Sequence, residues 1–331
     1  MLHFTRIAWF LIALLSATPL HAAPGEAAAL LALRPLDGRV ATIGDRLAIA
    51  NVSICRERQF QPGLTIHDLS QYSLQGRPAA IAAFGLEAGP AVLALADGGA
   101  AIRAGLRLDD VLVAADGVPL PRPPARVHDS FAPTERIMEM LEAAFADGAA
   151  DLTVRRGRRG HMIRVRAIPG CASRFQMIPS AQRAAKADGR YVQLTSALVE
   201  YTRGDDELAA LVAHELAHNI LRHRARLNAA GVDRDARVHS PRDARLFQLT
   251  ELEADRLAVH LMERAGYDPA AAIRLWTRQS REPRSMASGS HPAWPVRIRA
   301  MEAEIAAILR ARARGEQAPA PVAQTPLDSR N

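Results

Sequence analysis

The sequence predicts an α+β protein, with a β-rich unit inserted ahead of a mainly helical one. Two observations carry this. Residues 79–169 hold short runs of alternating apolar residues separated by glycine turns, the period-two signature of strands. From residue 175 to 314 the apolar residues recur instead at three- and four-residue spacing, interrupted by Gly266, Pro269 and Pro292, the signature of successive helices. A chain of 331 residues, 49% of them hydrophobic, suits two modest domains.

The N-terminus reads as a leader. Arg6 precedes an apolar run over residues 7–15, and Leu20-His21-Ala22 before Ala23 fits a signal-peptidase site, so residues 1–22 are expected to be removed. The run is short of the roughly 20 residues that span a bilayer, and no cysteine follows it to carry a lipid. The expectation is an exported protein, periplasmic or secreted, for which peripheral contact with a membrane is compatible with a basic surface. The net charge of +7 is almost wholly arginine, Lys186 being the sole lysine. These arginines are spread along the chain with no nucleic-acid-binding motif, so no nucleic-acid partner is expected. Cys55 and Cys171 are the only cysteines, and export favours a disulfide tying the entry of the β-rich unit to its exit.

Residues 23–78 read as an N-terminal helix and linker. Leu36, Val40, Ile43, Leu47 and Ile54 mark a helix over 36–54, and Pro62-Gly63 lies in a loop with short extended pieces. In the unit assigned to 79–170, residues 92–95 form a strand, Gly98-Gly99 turn the chain, and 100–104 form a short helix. A second strand over 109–113 ends at the tight turn Asp116-Gly117. Ile137, Met140, Leu141 and Ala144 mark a helix over 134–145, and strands at 152–155 and 162–168 close the unit. The pattern AxxAGLxxDDVLxxxDG resembles that of bacterial PDZ domains, whose usual form is AGLxxGDxIxxxNG; Asp109 stands for the usual Gly and Asp116 for the usual Asn. The resemblance implies a PDZ-like groove that adds a peptide as an extra strand and captures its C-terminal carboxylate on backbone amides. The candidate capturing loop is Ala82-Ala83-Phe84-Gly85-Leu86.

The helical unit, 171–314, opens with a strand at Tyr191–Thr195. A long helix over 207–228 follows Asp205 and Asp206, whose charges suit its N-terminus. After a polar loop over 229–245 come helices at 248–265, 270–279 and 293–313. The Pro/Ala-rich tail, 315–331, reads as disordered.

The chemistry concentrates in HELAH. His214 and His218 lie four apart on a helix, so both imidazoles emerge on one face, close enough to hold one Zn²⁺. Glu215 can reach a water there without binding the metal, the HExxH arrangement. Leu221 and Arg224 stand where a metzincin has Gly and His, which excludes that class, and His223, out of phase, is expected at the surface. A third ligand is expected from ELEAD. Glu251 and Asp255 share a helix face, so one carboxylate can bind metal while the other fixes a ligand histidine; Glu253 points elsewhere, as a solvated charge or local ion pair.

HELAH, ELEAD and SHPAWPVRI together resemble the HtpX/BepA/CAAX-prenyl-protease type of zinc metallopeptidase, peptidase family M forty-eight, over roughly residues 193–300. The resemblance implies a mainly helical zincin-type domain. It implies zinc ligands His214, His218 and Glu251, with Glu215 as general base and Asp255 as partner of a ligand histidine. His291 and Arg297 are candidates for facing the substrate or regulating the site. Lys186-Ala187-Asp188-Gly189-Arg190 departs from the Gly-rich stretch common in the family, and a substrate is expected to pair with Tyr191–Thr195. The expected function is an exported zinc metalloendopeptidase acting on envelope proteins, as in protein quality control, with protein or peptide substrates selected by their C-terminal tails. The alternative is a periplasmic adaptor or chaperone-like protein with a latent metallopeptidase fold, which has no use for Glu215.

Overall fold

The computed structural model describes residues 24–86, 89–122, 126–233, 240–282, 291–323 and 327. The expected leader, 1–22, lies outside them. No described helix is long and apolar enough to cross a membrane.

The first element, α1 (Pro24–Ala50), is longer than the 36–54 helix expected, and residues 52–54 form a separate 3-10 turn. It carries Pro35 internally, which removes one helical hydrogen bond, and is held by packing along both halves. Leu30 packs on a small cluster containing Phe84, Leu86 and Val111. Val40, Ile43 and Leu47 are buried in the main core among residues of the catalytic-motif helix. One helix therefore touches both units.

Next come β1 (Arg58–Gln61), β2 (Leu64–His67), α2 (Arg77–Phe84), β3 (Ala91–Leu95), α3 (Ala100–Arg103), β4 (Val111–Ala115), β5 (Val118–Pro119), α4 (Ala132–Ala144), β6 (Ala149–Arg156), β7 (Arg159–Arg166) and β8 (Ile168–Cys171). The sheet runs β2-β3-β4-β6-β7 with antiparallel neighbours, and β5 flanks β4. Its inner face buries Ile66, Val92, Leu112, Leu152, Val154 and Val165 against Ile137, Leu141 and Phe145. The sheet thus takes in β2, a strand from the stretch expected to be linker. Asp116 and Gly117 both have positive φ (48° and 76°), as the two-residue β4–β5 hairpin requires. Asp109 also has positive φ (65°), at the position where the PDZ pattern has Gly. Arg34 of α1 ion-pairs with it.

Cys55 and Cys171 are bonded, as expected, and the bridge closes a 116-residue separation around the β-rich unit. Beside it β1 and β8 form a two-stranded ribbon, with Arg58 opposite Cys171.

The rest comprises β9 (Arg174–Ile178), β10 (Ala185–Ala187), β11 (Tyr191–Thr195), α5 (Ser196–Tyr201), α6 (Asp205–Ile220), α7 (His223–Ala229), α8 (Pro241–Arg264), α9 (Ala270–Ser280) and α10 (Trp294–Ala313). The three strands pair in the order β10-β11-β9. The single helix expected over 207–228 is two helices, broken at Leu221 and Arg222, where Arg222 takes φ 54°. α8 starts earlier than expected because Ser240 caps it, its hydroxyl accepting from the Asp243 N–H at 3.1 Å, with Pro241 in the first turn. Among its described residues, the tail forms no helix or strand beyond α10. It is not free of the fold, however: Ala318 is buried in the main core, and Leu327 against Leu227, Val232 and Leu246.

Candidate metal centre

α6 lies inside the helical unit, against β10, β11, α8, α9 and α1. Ala209, Ala210, Ala213 and Ala217 are almost fully buried, and their small side chains let the neighbouring elements approach closely. Its first turn carries Asp205, Asp206 and Glu207; Glu207 is also fixed by Arg278 at 2.6 Å. This burial fixes the rotation of the helix, and so aims His214 and His218 at α8.

The three expected ligands come together. His214 Nε2 lies 3.2 Å from His218 Nε2, and Glu251 places Oε2 3.4 Å from the first and Oε1 3.4 Å from the second. A tetrahedral ion with bonds of about 2.0–2.1 Å has ligand–ligand edges of about 3.3–3.4 Å. The spacing of the three side chains therefore suits one such ion, and among the described residues they are the group that could hold a metal. The field agrees. Burial alone would lower the His214 pKa, yet Asp255 and Glu251 carry it up to about 10. Burial works against ionised Glu251 too, but His214, His218 and Arg297 hold it well below the usual carboxylate range.

Glu215, half-buried, lines the same cleft with His291 and with Ala185 and Lys186 of β10. Burial pushes its carboxyl up to about 7, His214 and Arg297 pulling down and Glu251 adding to the rise. Asp255 Oδ1 lies 3.1 Å from His214 Nδ1, on the far side of that ring from Glu251.

Four expectations need correction. Arg297 does not face the substrate: it is 4% exposed and bonds both oxygens of Asp255, at 2.6 and 2.7 Å. His223 is not on the surface but 1% exposed. Its reorientation follows from the break at Arg222, which a continuous helix could not provide. β11 cannot receive a substrate strand, because β9 and β10 occupy both its edges; the strand bordering the cleft is β10. Residues 82–86 are the last turn of α2 and its cap, with the Gly85 N–H bonded to Ile81 O at 2.8 Å and Phe84 and Leu86 buried, so that loop is not open to a carboxylate. His291 remains at the cleft, half-exposed, with Nε2 3.7 Å from Glu251. Glu253 forms a local ion pair, with Arg226 at 2.6 Å.

Residues 176–238 and 244–305 match the model of Peptidase family M48. The chain carries a Peptidase family M48 domain. Mitochondrial metalloendopeptidase OMA1 of Schizosaccharomyces pombe is 31% identical over 137 residues, covering 34% of this chain and 41% of the relative. The chain thus matches about two fifths of that protein's length. No solved structure matches the chain. The M48 match contains α6, α8 and the start of α10, and with them the whole His-His-Glu cluster, Glu215, Asp255 and Arg297. The β2–β7 sheet precedes it.

Proposed function

We propose that the chain is a zinc-dependent metalloendopeptidase in which His214, His218 and Glu251 hold the metal and Glu215 moves the proton. The observation that carries this reading is the gathering of His214 and His218, their Nε2 atoms 3.2 Å apart, with a different Glu251 oxygen 3.4 Å from each, and a further carboxylate, Glu215, beside them in the cleft. When bound, zinc supplies Lewis-acid polarisation of the scissile carbonyl and acidifies a water. Glu215 accepts the proton of the attacking water and returns it to the leaving amine. Burial prepares it for both steps by bringing its proton affinity near neutrality. The substrate lies extended along the outer edge of β10, which places its backbone across the cleft. Asp255 orients His214, and Arg297 holds Asp255 in its buried position through an ion pair.

The β2–β7 unit is the substrate-recognition module in this reading. β2 is an edge strand, and a cavity runs between it, α4 and β9, lined by Ile66, Leu141 and Phe175. A peptide tail adding to β2 there is the PDZ mode of recognition. The Cys55–Cys171 bridge favours an oxidising compartment, hence envelope proteins as substrates.

Glu215→Gln is the test. It is expected to abolish cleavage of an unfolded protein such as casein while about one zinc per chain is retained. Undiminished cleavage removes Glu215 from the reaction, and a purified protein that binds no metal removes the reading as a whole.

A further inference from the structure

His223 is almost completely buried, yet the site as described gives it no role. Leu221 and Arg222 end α6, and the left-handed Arg222 turns the chain so that His223, the first residue of α7, folds back toward the metal cluster. His223 Nδ1 then lies 2.8 Å from His218 Nδ1, and its Nε2 lies 3.0 Å from Glu253 Oε2. Glu253 is anchored in turn by Arg226. Four residues from α6, α7 and α8 thus form one line of contacts ending on the His218 ring.

The protons along this line follow from the chemistry of imidazole. His218 Nε2 points at His214 and Glu251, so its lone pair belongs to the cation and its ring proton sits on Nδ1. A nitrogen 2.8 Å from that N–H must accept, which leaves the His223 Nδ1 unprotonated. His223 then carries its own proton on Nε2, where the Glu253 carboxylate accepts it. Each contact fixes the tautomer of the next ring, and none requires a charged imidazole.

We infer that His223 is a positioning residue for the metal site, holding His218 in the ring orientation and tautomer that present Nε2 to the ion. This rests on the reading that His218 is a metal ligand. The two histidines of HELAH are then oriented by different means. His214 has a carboxylate, Asp255, beside its Nδ1; His218 has a neutral imidazole, with the carboxylate one step further out.

The experiment measures zinc affinity of the full chain by chelator competition, with the visible spectrum of the cobalt(II)-loaded protein and the thermal unfolding of the metal-free protein as companion readouts. His223→Leu removes the acceptor and is expected to weaken metal binding about 10- to 100-fold and to alter the cobalt spectrum. His223→Asn puts an amide oxygen where Nδ1 was, and should bind within about threefold of the unaltered protein because the acceptor is kept. A purely structural role would instead appear as equal losses in both variants, tracking their unfolding. Undiminished affinity in His223→Leu, or an equal loss in His223→Asn, overturns the assignment. Should His223→Leu fail to fold, Glu253→Leu tests the same line from its outer end: severalfold weaker binding supports it and unchanged binding overturns it. An unaltered protein that binds no metal overturns the metallopeptidase reading as well. Metal binding that is indifferent to residues 223 and 253 removes only the role of His223.

Discussion

Asp255 is fully buried and paired with Arg297, whose guanidinium spans both carboxylate oxygens and lies near the rings of Trp276 and Trp294. Removing one member of such a pair strands the other as an uncompensated charge. Arg297→Met is therefore expected to destabilise the metal-free protein by about 3–5 kcal/mol in urea unfolding. Arg297→Lys should recover only part of that, because an ammonium cannot reproduce the two-pronged geometry; full recovery would show that charge alone is enough. At this scale the candidate cluster was legible in the sequence, since His214–His218 and Glu251–Asp255 are each four apart and helical periodicity puts each pair on one face; the choice of Glu251 over Asp255 came from the family resemblance. The roles of Arg297 and His223 were not. Arg297 meets Asp255, 42 positions away in the chain, through packing of α10 on α8. His223 was misplaced because its phase was counted along a helix that stops at Ile220.

Among the elements, α1 carries an unusual burden: Asp37 and Asp45 are both buried along it. Burial pushes the Asp37 carboxyl up to about 7 against the pull of Arg34, and that of Asp45 up to about 6 against Arg103. Between the ordinary carboxyl value of 3.8 and about 7, the folded protein binds a proton at Asp37 that the unfolded chain releases, so this residue's contribution to stability falls as pH rises through that window. His67, pushed down to about 3 by burial, works the other way and loses stability as pH falls below about 6.5. Asp37→Asn isolates the first effect. It is expected to raise stability by roughly 1–3 kcal/mol at pH 8, with the gain vanishing below about pH 3, where the native carboxyl is mostly neutral in both states. A gain independent of pH would show that the carboxylate charge is not its source. Element types were largely legible, and the errors have physical causes. β2 was read only as a short extended piece of a loop, because four residues beside Pro62-Gly63 give little alternation, and its place in the sheet comes from pairing with β3. The start of α8 was missed because the cap at Ser240 and Pro241 stands among polar residues. β11 was recognised as a strand, but a sequence does not say which strands take its edges.

For the whole molecule, three devices join the β-rich unit to the M48 domain: α1, the Cys55–Cys171 bridge and an ionic clamp. In the clamp, Arg174 at the start of β9 binds Glu135 and Glu142 of α4, and Arg190 binds Glu135, Glu139 and Glu142 at 2.8–3.1 Å. Arg174 is itself buried, and Tyr191 donates its hydroxyl to Glu135 from the same side. The clamp sets α4, one wall of the cavity beside β2, against the strands that continue to the cleft edge at β10. The bridge acts chiefly on the unfolded chain: closing a 116-residue separation removes conformational freedom worth about 4–5 kcal/mol in the chain-entropy account. Reduction is therefore expected to lower the stability of the unaltered protein by an amount of that order and to leave a Cys55→Ala/Cys171→Ala variant unaffected. Both reduced forms should still unfold in one urea transition, because α1 and the clamp remain. Two separated transitions after reduction, one following the β-rich unit and one the helical core, would instead make the bridge the sole cooperative link. Adding Arg174→Ala to the cysteine-free variant decides how the remaining coupling is shared. If the clamp carries it, the single transition splits at that step, and if α1 carries it, the transition shifts to lower urea without splitting.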